Sequence, residues 1–170
     1  SVAYMTYVVI VGVVRRAVAQ PRMVRYSGTD DAAWRAGAAR AGGLAFVIGL
    51  VVGSVCLLIG LAVGGVVGQG LMAVAIILPG LLVQDSWRYA LFARERGRSA
   101  FANDLFWLVT QLPALVLVVA AGHDVALASL LVWGGAGTAA ALIGGYQVGV
   151  RLDPSRSGAW LRDRRALVPR

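Results

Sequence analysis

Residues 41–84 read AGGLAFVIGLVVGSVCLLIGLAVGGVVGQGLMAVAIILPGLLVQ, and no side chain in that run carries a charge. A helix rises about 1.5 Å per residue and a bilayer's hydrocarbon core is about 30 Å thick, so roughly 20 residues cross it once. The run divides at the glycine-rich connection 64-GGVVGQG-70 into two such spans, 41–65 and 66–84. Composition agrees that lipid is the solvent. The chain is 59% hydrophobic and 14% charged, with a mean hydropathy of +0.76. Soluble domains are about half apolar and about a quarter charged.

Two further runs, 105-LFWLVTQLPALVLVVAA-121 and 125-VALASLLVWGGAGTAAALIGGYQVGV-150, meet the same standard. A shorter one, 2-VAYMTYVVIVGVV-14, extends through Arg15 and Arg16 towards Ala19. A secretory signal carries its positive charge before the apolar stretch. Here the arginines follow it, so a genuine span is expected, with an upstream neighbour missing. The expected fold is all-α: a polytopic transmembrane helix bundle of about five spans, near 1–19, 41–65, 66–87, 103–121 and 125–150. Residues 151–170 form a basic cytoplasmic tail, or a linker to a missing second lobe.

Arginine placement orients the bundle. All sixteen basic residues are arginine, giving a formal net charge of +8. Six lie between the first and second spans, four between the third and fourth, and six after the fifth. The alternate connections, 64-GGVVGQG-70 and 121-AGHD-124, contain none. The positive-inside rule puts the arginine-bearing side in the cytoplasm. The N-terminus is then outside and the C-terminus inside.

The same pattern argues against nucleic acid as a partner, which calls for a basic patch on a soluble surface. Enzyme constellations are missing too. Cys56 is the only cysteine and lies in an apolar run, where it reads as a packing residue. His123 is the only histidine and reads as a surface residue of an external turn, so no zinc set is expected. There is no P-loop or nucleophile elbow. Asp30–Asp31, beside Trp34, reads as a solvated helix start. No metal or cofactor is expected. The glycine pairs Gly49/Gly53, Gly60/Gly64 and Gly145/Gly149 are spaced for close helix approach in lipid. Pro79 and Pro113 each remove a helical hydrogen bond.

Ionisable groups within a span are costly and usually face a partner or a cavity. Tyr4, Val8, Val11 and Arg15 share one helical face, with Tyr7 beside it. Gln84 and Arg88 align at the end of the third span, where Asp85 reaches Arg88 at i+3 as a local ion pair. Asp104, Trp107, Leu108 and Gln111 share a face of the fourth, with Asn103 at its edge. Arg94, Arg96 and Arg98 read as topology determinants on a solvated loop. Three half-polar stripes near the cytoplasmic side would together line a hydrated cleft. Its guanidinium groups would suit phosphate or diphosphate, because arginine offers planar bidentate donors.

The segments 12-GVVRRAVAQPRMVRYSG-28 and 78-LPGLLVQDSWRYALFARERGRSAFANDLFW-107 resemble the multidrug/oligosaccharidyl-lipid/polysaccharide exporter superfamily, especially the polysaccharide-biosynthesis (O-antigen-type) flippases of high-GC bacteria. Pro79, Asp85, Arg88, Gly97 and Asn103 match that pattern, and 144-GGYQVGVRL-152 resembles the exit of the sixth helix of the first lobe. The resemblance implies an N-terminal lobe fragment, spans two through six, of a two-lobe transporter in the bacterial cytoplasmic membrane. It implies that the transporter flips a lipid-diphosphate-linked oligosaccharide by alternating access, in the company of cell-envelope polysaccharide synthesis proteins. Arg15, Arg16, Arg22, Arg25 and Arg88 would face the diphosphate. Asp85, Asn103, Asp104 and Gln111 would orient arginines or contact sugar. Two other readings stand beside transport. One is a membrane scaffold whose arginines serve only topology; the other is a membrane enzyme acting on prenyl or phospholipid diphosphates, for which no ligand set is present.

Overall fold

The computed structural model describes residues 2–16, 30–122 and 125–155, and every regular element in them is helical. Helix α1 runs Val2–Val14, α2 Asp31–Val63, α3 Gly65–Phe92, α4 Gly97–Ala120 and α5 Val125–Val148. Four of them, α2 to α5, are long and apolar enough to cross a membrane; α1 is apolar but shorter. The outer surface is apolar, with Leu57, Leu58 and Leu61 of α2 and Leu112, Val116 and Leu117 of α4 all exposed. That is the surface a bilayer requires, and helices, like closed barrels, satisfy their own backbone groups within hydrocarbon.

Local sequence sets the helix ends. Asp30 caps α2, its Oδ1 accepting the Ala33 N–H at 2.7 Å, while Asp31 complements the helix dipole in the first turn. This helix therefore begins ten residues before the expected span at 41: its first turns, charged and soluble in character, stand outside the apolar run. It ends at Gly64, and Gly64 and Gly65 hold φ of 66° and 57°. Glycine meets that left-handed geometry without a Cβ clash, so α2 turns into α3 within two residues. Gly64 is thus a turn residue rather than half of an interface pair. The same holds for Gly149, at φ 73°. Between α3 and α4 the left-handed position is Glu95, at φ 55°, and Gly97 instead opens α4.

Helix α3 is the central member, touching α1, α2, α4 and α5. Its contact with α2 is set by the glycines at 49, 53 and 60. A Cβ at Gly49 would lie 2.5 Å from the Pro79 Cα, and one at Gly60 would lie 2.8 Å from the Gly68 carbonyl oxygen. Pro79 deprives the Ala75 carbonyl of its helical donor. That carbonyl faces Gly53, where a Cβ would come within 2.8 Å. Glycine on α2 therefore makes room for the carbonyl that the proline on α3 releases. Against α5 the roles extend to Gly134, Gly137 and Gly144, which receive Ile77, Leu81 and Trp87.

Beyond α5 the chain does not leave as a free tail. The Asp153 N–H donates to the Ala39 carbonyl at 3.0 Å, and Leu152 and Asp153 lie against Gly42 and Gly43 of α2. Residues 150–154 thus cross the arginine-bearing end of the bundle from α5 to α2. Residues 156–170 lie outside the described residues.

Candidate functional site

The polar residues picked out near the arginine side converge on one face of α3. Arg15, in a wider turn that continues α1, reaches Asp85 with two prongs. Its Nε lies 3.0 Å from both carboxylate oxygens and its Nη2 lies 2.7 Å from Oδ1. Asp85 is buried, at 5% exposure. One turn along α3, Arg88 Nη2 stands 3.1 Å from Asp104 Oδ2 of α4. The expected local pair between Asp85 and Arg88 is therefore replaced by two pairs between helices. Residues 85 and 88 are about 60° apart round a helix, enough for Asp85 to face α1 while Arg88 faces α4.

Gln84 extends the second pair. Its side-chain nitrogen donates to Asn103 Oδ1 at 3.3 Å and to Asp104 Oδ1 at 3.4 Å. Asn103 in turn donates to the Ala140 carbonyl of α5 at 2.8 Å. Gln84 and Asn103 are both buried, where an unmade hydrogen bond would cost about 1–3 kcal/mol. Helices α3, α4 and α5 share this network, and the Arg15–Asp85 pair beside it adds α1. Together they hold two guanidinium groups and two carboxylates, so the formal charge is zero.

The donors are not exhausted. A guanidinium carries five N–H groups, and Arg15 commits only Nε and Nη2 to Asp85. The Arg88 Nε is buried and has no hydrogen-bond partner among the described residues. The guanidinium groups also lie beside rings, Arg15 6.0 Å from the centre of Tyr89 and Arg88 5.9 Å from that of Phe92.

Farther along the helices from the ion pairs stands a partly buried aromatic cluster that the sequence reading left unassembled. Tyr7 meets Trp133 edge-on with ring centres 4.7 Å apart, Tyr4 lies 6.2 Å from Trp133, and Trp107 lies 5.7 Å from it. The Trp107 indole donates to the Trp133 carbonyl at 2.9 Å. Tyr4 and Tyr7 share the stripe of Arg15, and Trp107 that of Asp104; Trp133, between small residues of α5, is the ring that joins them. A lone tryptophan preceding 134-GGAG-137 was the available signal.

Of the other expected site residues, Arg16 is exposed beside Arg15. Gln111 is half-buried two turns beyond Asp104, and no hydrogen bond of the network involves it. Arg22 and Arg25 lie outside the described residues, as does His123. Of the loop arginines, Arg96 and Arg98 are exposed as expected and Arg94 is partly buried. Arg94 pairs with Asp31 Oδ1 at 2.9 Å, and both Arg94 and Arg96 stand over the Trp34 ring, at 5.2 and 5.7 Å. They fasten the α3–α4 turn to the start of α2. Trp34 is buried, so the solvated helix start holds for Asp30 and Asp31 but not for it. Cys56 is buried and unpaired. Among the described residues no cluster of three His, Cys, Asp or Glu could hold a metal.

Comparison with family models, curated proteins and solved structures finds no match for this chain.

Proposed function

We propose that this chain is one lobe of a membrane flippase or exporter that moves a lipid-diphosphate-linked oligosaccharide from the cytoplasmic to the outer leaflet by alternating access. The observation that carries the reading is that Arg15 and Arg88 are paired at the same end of α3, Arg15 with Asp85 and Arg88 three residues on with Asp104, each held by a carboxylate from another helix. Carboxylate and phosphate oxygens compete for the same guanidinium fork. A diphosphate arriving from the cytoplasmic side takes the uncommitted N–H groups first, then displaces Asp85 and Asp104. The carboxylates keep the arginines aimed while the site is empty, and reclaim them once the lipid has crossed. Tyr4, Tyr7, Trp107 and Trp133 offer ring faces to the saccharide on its route towards the outer side. The resemblance of 78–107 to polysaccharide flippases supports the same reading, as does the confinement of every arginine to one side.

The charge neutrality of the network favours a second reading, a transport-inactive scaffold in which these ion pairs only join helices. Surface-polysaccharide export in a bacterium that depends on this protein separates the two. Arg15→Ala and Arg88→Ala abolish export at unchanged membrane abundance if the arginines bind diphosphate, whereas the exposed Arg98→Gln leaves it intact. Normal export from both alanine variants removes the transport reading.

A further inference from the structure

On the side of α3 opposite the ion pairs lies an apolar groove of about 950 Å³. Its floor runs along α3 from Ile76 through Gly80 to Trp87, its walls are Leu50 of α2 and Leu142 of α5, and Arg151 stands at one end. Ile76 and Leu142 are 73% and 77% exposed, so the groove opens sideways onto the membrane. Residues 76 and 87 are about 16 Å apart along a helix, close to half of a hydrocarbon core of about 30 Å. The groove is therefore one leaflet deep, on the arginine side. Of its two lining hydroxyl residues, Thr138 donates its Oγ1–H to the Gly134 carbonyl of its own helix, and Tyr146 is 89% exposed.

We infer that this groove binds an anionic phospholipid of the arginine-side leaflet, an acyl chain lying along α3 and the headgroup phosphate on Arg151. Depth selects a chain from a single leaflet, and the cation at the rim selects negative charge. Arg151 is exposed, and its place is fixed because the next residues are docked on α2 through Asp153 and Ala39. Oδ1 of the neighbouring Asp153 carboxylate accepts from the amide and hydroxyl of Ser155. The site is separate from the ion-pair network and does not depend on transport.

Native mass spectrometry of the purified protein, offered equal amounts of phosphatidylglycerol and phosphatidylcholine, tests the proposal. Phosphatidylglycerol is retained in about fivefold excess, the size of one surface cation's attraction, and Arg151→Gln abolishes the preference. A phosphatidylglycerol with a photoreactive acyl chain labels the peptides containing Leu50 and Leu142, and Leu50→Trp, which narrows the groove at a half-exposed position, reduces that labelling severalfold. Equal retention of the two lipids overturns the proposal. So does a preference that survives Arg151→Gln, or labelling that falls equally on exposed Leu57 and Val116 or that links the groove to a second protein chain.

Discussion

Arg15 and Asp85 are seventy residues apart in sequence and share a two-pronged ion pair with contacts of 2.7 to 3.0 Å. The pair joins the end of the short helix α1 to the central helix α3. The two partners sit in unequal surroundings: the Arg15 side chain is 39% exposed and that of Asp85 only 7%. Removing one partner therefore does not mirror removing the other.

Arg15→Ala strands a buried carboxylate, whereas Asp85→Asn leaves an arginine that water can reach. Breaking a buried pair costs about 3–5 kcal/mol, and partial exposure reduces this to about 2 kcal/mol for Arg15→Ala. Asp85→Asn costs about 1 kcal/mol, the size of one ordinary hydrogen bond. Reversible unfolding in mixed micelles measures both, and the opposite ranking would show that Asp85 is not desolvated in the membrane.

The α2–α3 contact predicts a contrast between two glycines. Gly49→Ala places a methyl against the Pro79 backbone, and overpacking of this kind costs about 1–3 kcal/mol. Gly12→Ala, with nothing within 4 Å of the new atom, stays within about 0.5 kcal/mol of the parent. Equal effects at the two sites would mean that α2 and α3 do not meet at Gly49.

Glu95 holds a left-handed backbone that costs a non-glycine residue roughly 1–2 kcal/mol. Glu95→Gly relieves this, less the extra chain entropy that glycine loses on folding, about 0.5–1 kcal/mol. A net gain of about 0.5 kcal/mol in the same unfolding assay is the expected outcome; a clear loss would place the turn elsewhere.

Sidedness is open to chemical labelling. In a Cys56→Ser background, Ala121→Cys and Arg98→Cys put single thiols at exposed positions on opposite ends of α4. A membrane-impermeant maleimide added to intact cells labels the first and not the second if the arginine side is cytoplasmic. The reverse pattern inverts the bundle.

The spans were legible because lipid imposes a length and a hydropathy that few sequences meet by chance, as 41–84 illustrates. The helix starts were less so. Asp31 to Arg40 and Gly97 to Ala102 continue α2 and α4 into the polar region, where hydropathy no longer marks the helix and only caps such as Asp30 do. That Arg15, Asp85, Arg88, Asn103 and Asp104 would find polar partners was readable, since ionisable and polar groups near a span need them. The pairing itself was not, because i+3 spacing offers a local solution and only the rotation of α3 against α1 and α4 decides otherwise. The docking of residues 150–154 on α2 had no sequence signal beyond the small residues Gly42 and Gly43 that receive it.

The central claim is that the guanidinium groups of Arg15 and Arg88 recognise a lipid diphosphate, and calorimetric titration of the protein in nanodiscs with a prenyl diphosphate and the matching prenyl alcohol tests it most directly. The diphosphate binds and the alcohol does not. Arg15→Ala and Arg88→Ala each weaken binding about tenfold or more, as loss of hydrogen bonds between charged groups worth about 1.5–3 kcal/mol requires. Asp85→Asn, by freeing Arg15, strengthens it. Equal affinity for diphosphate and alcohol, or diphosphate binding untouched in both alanine variants, contradicts the account.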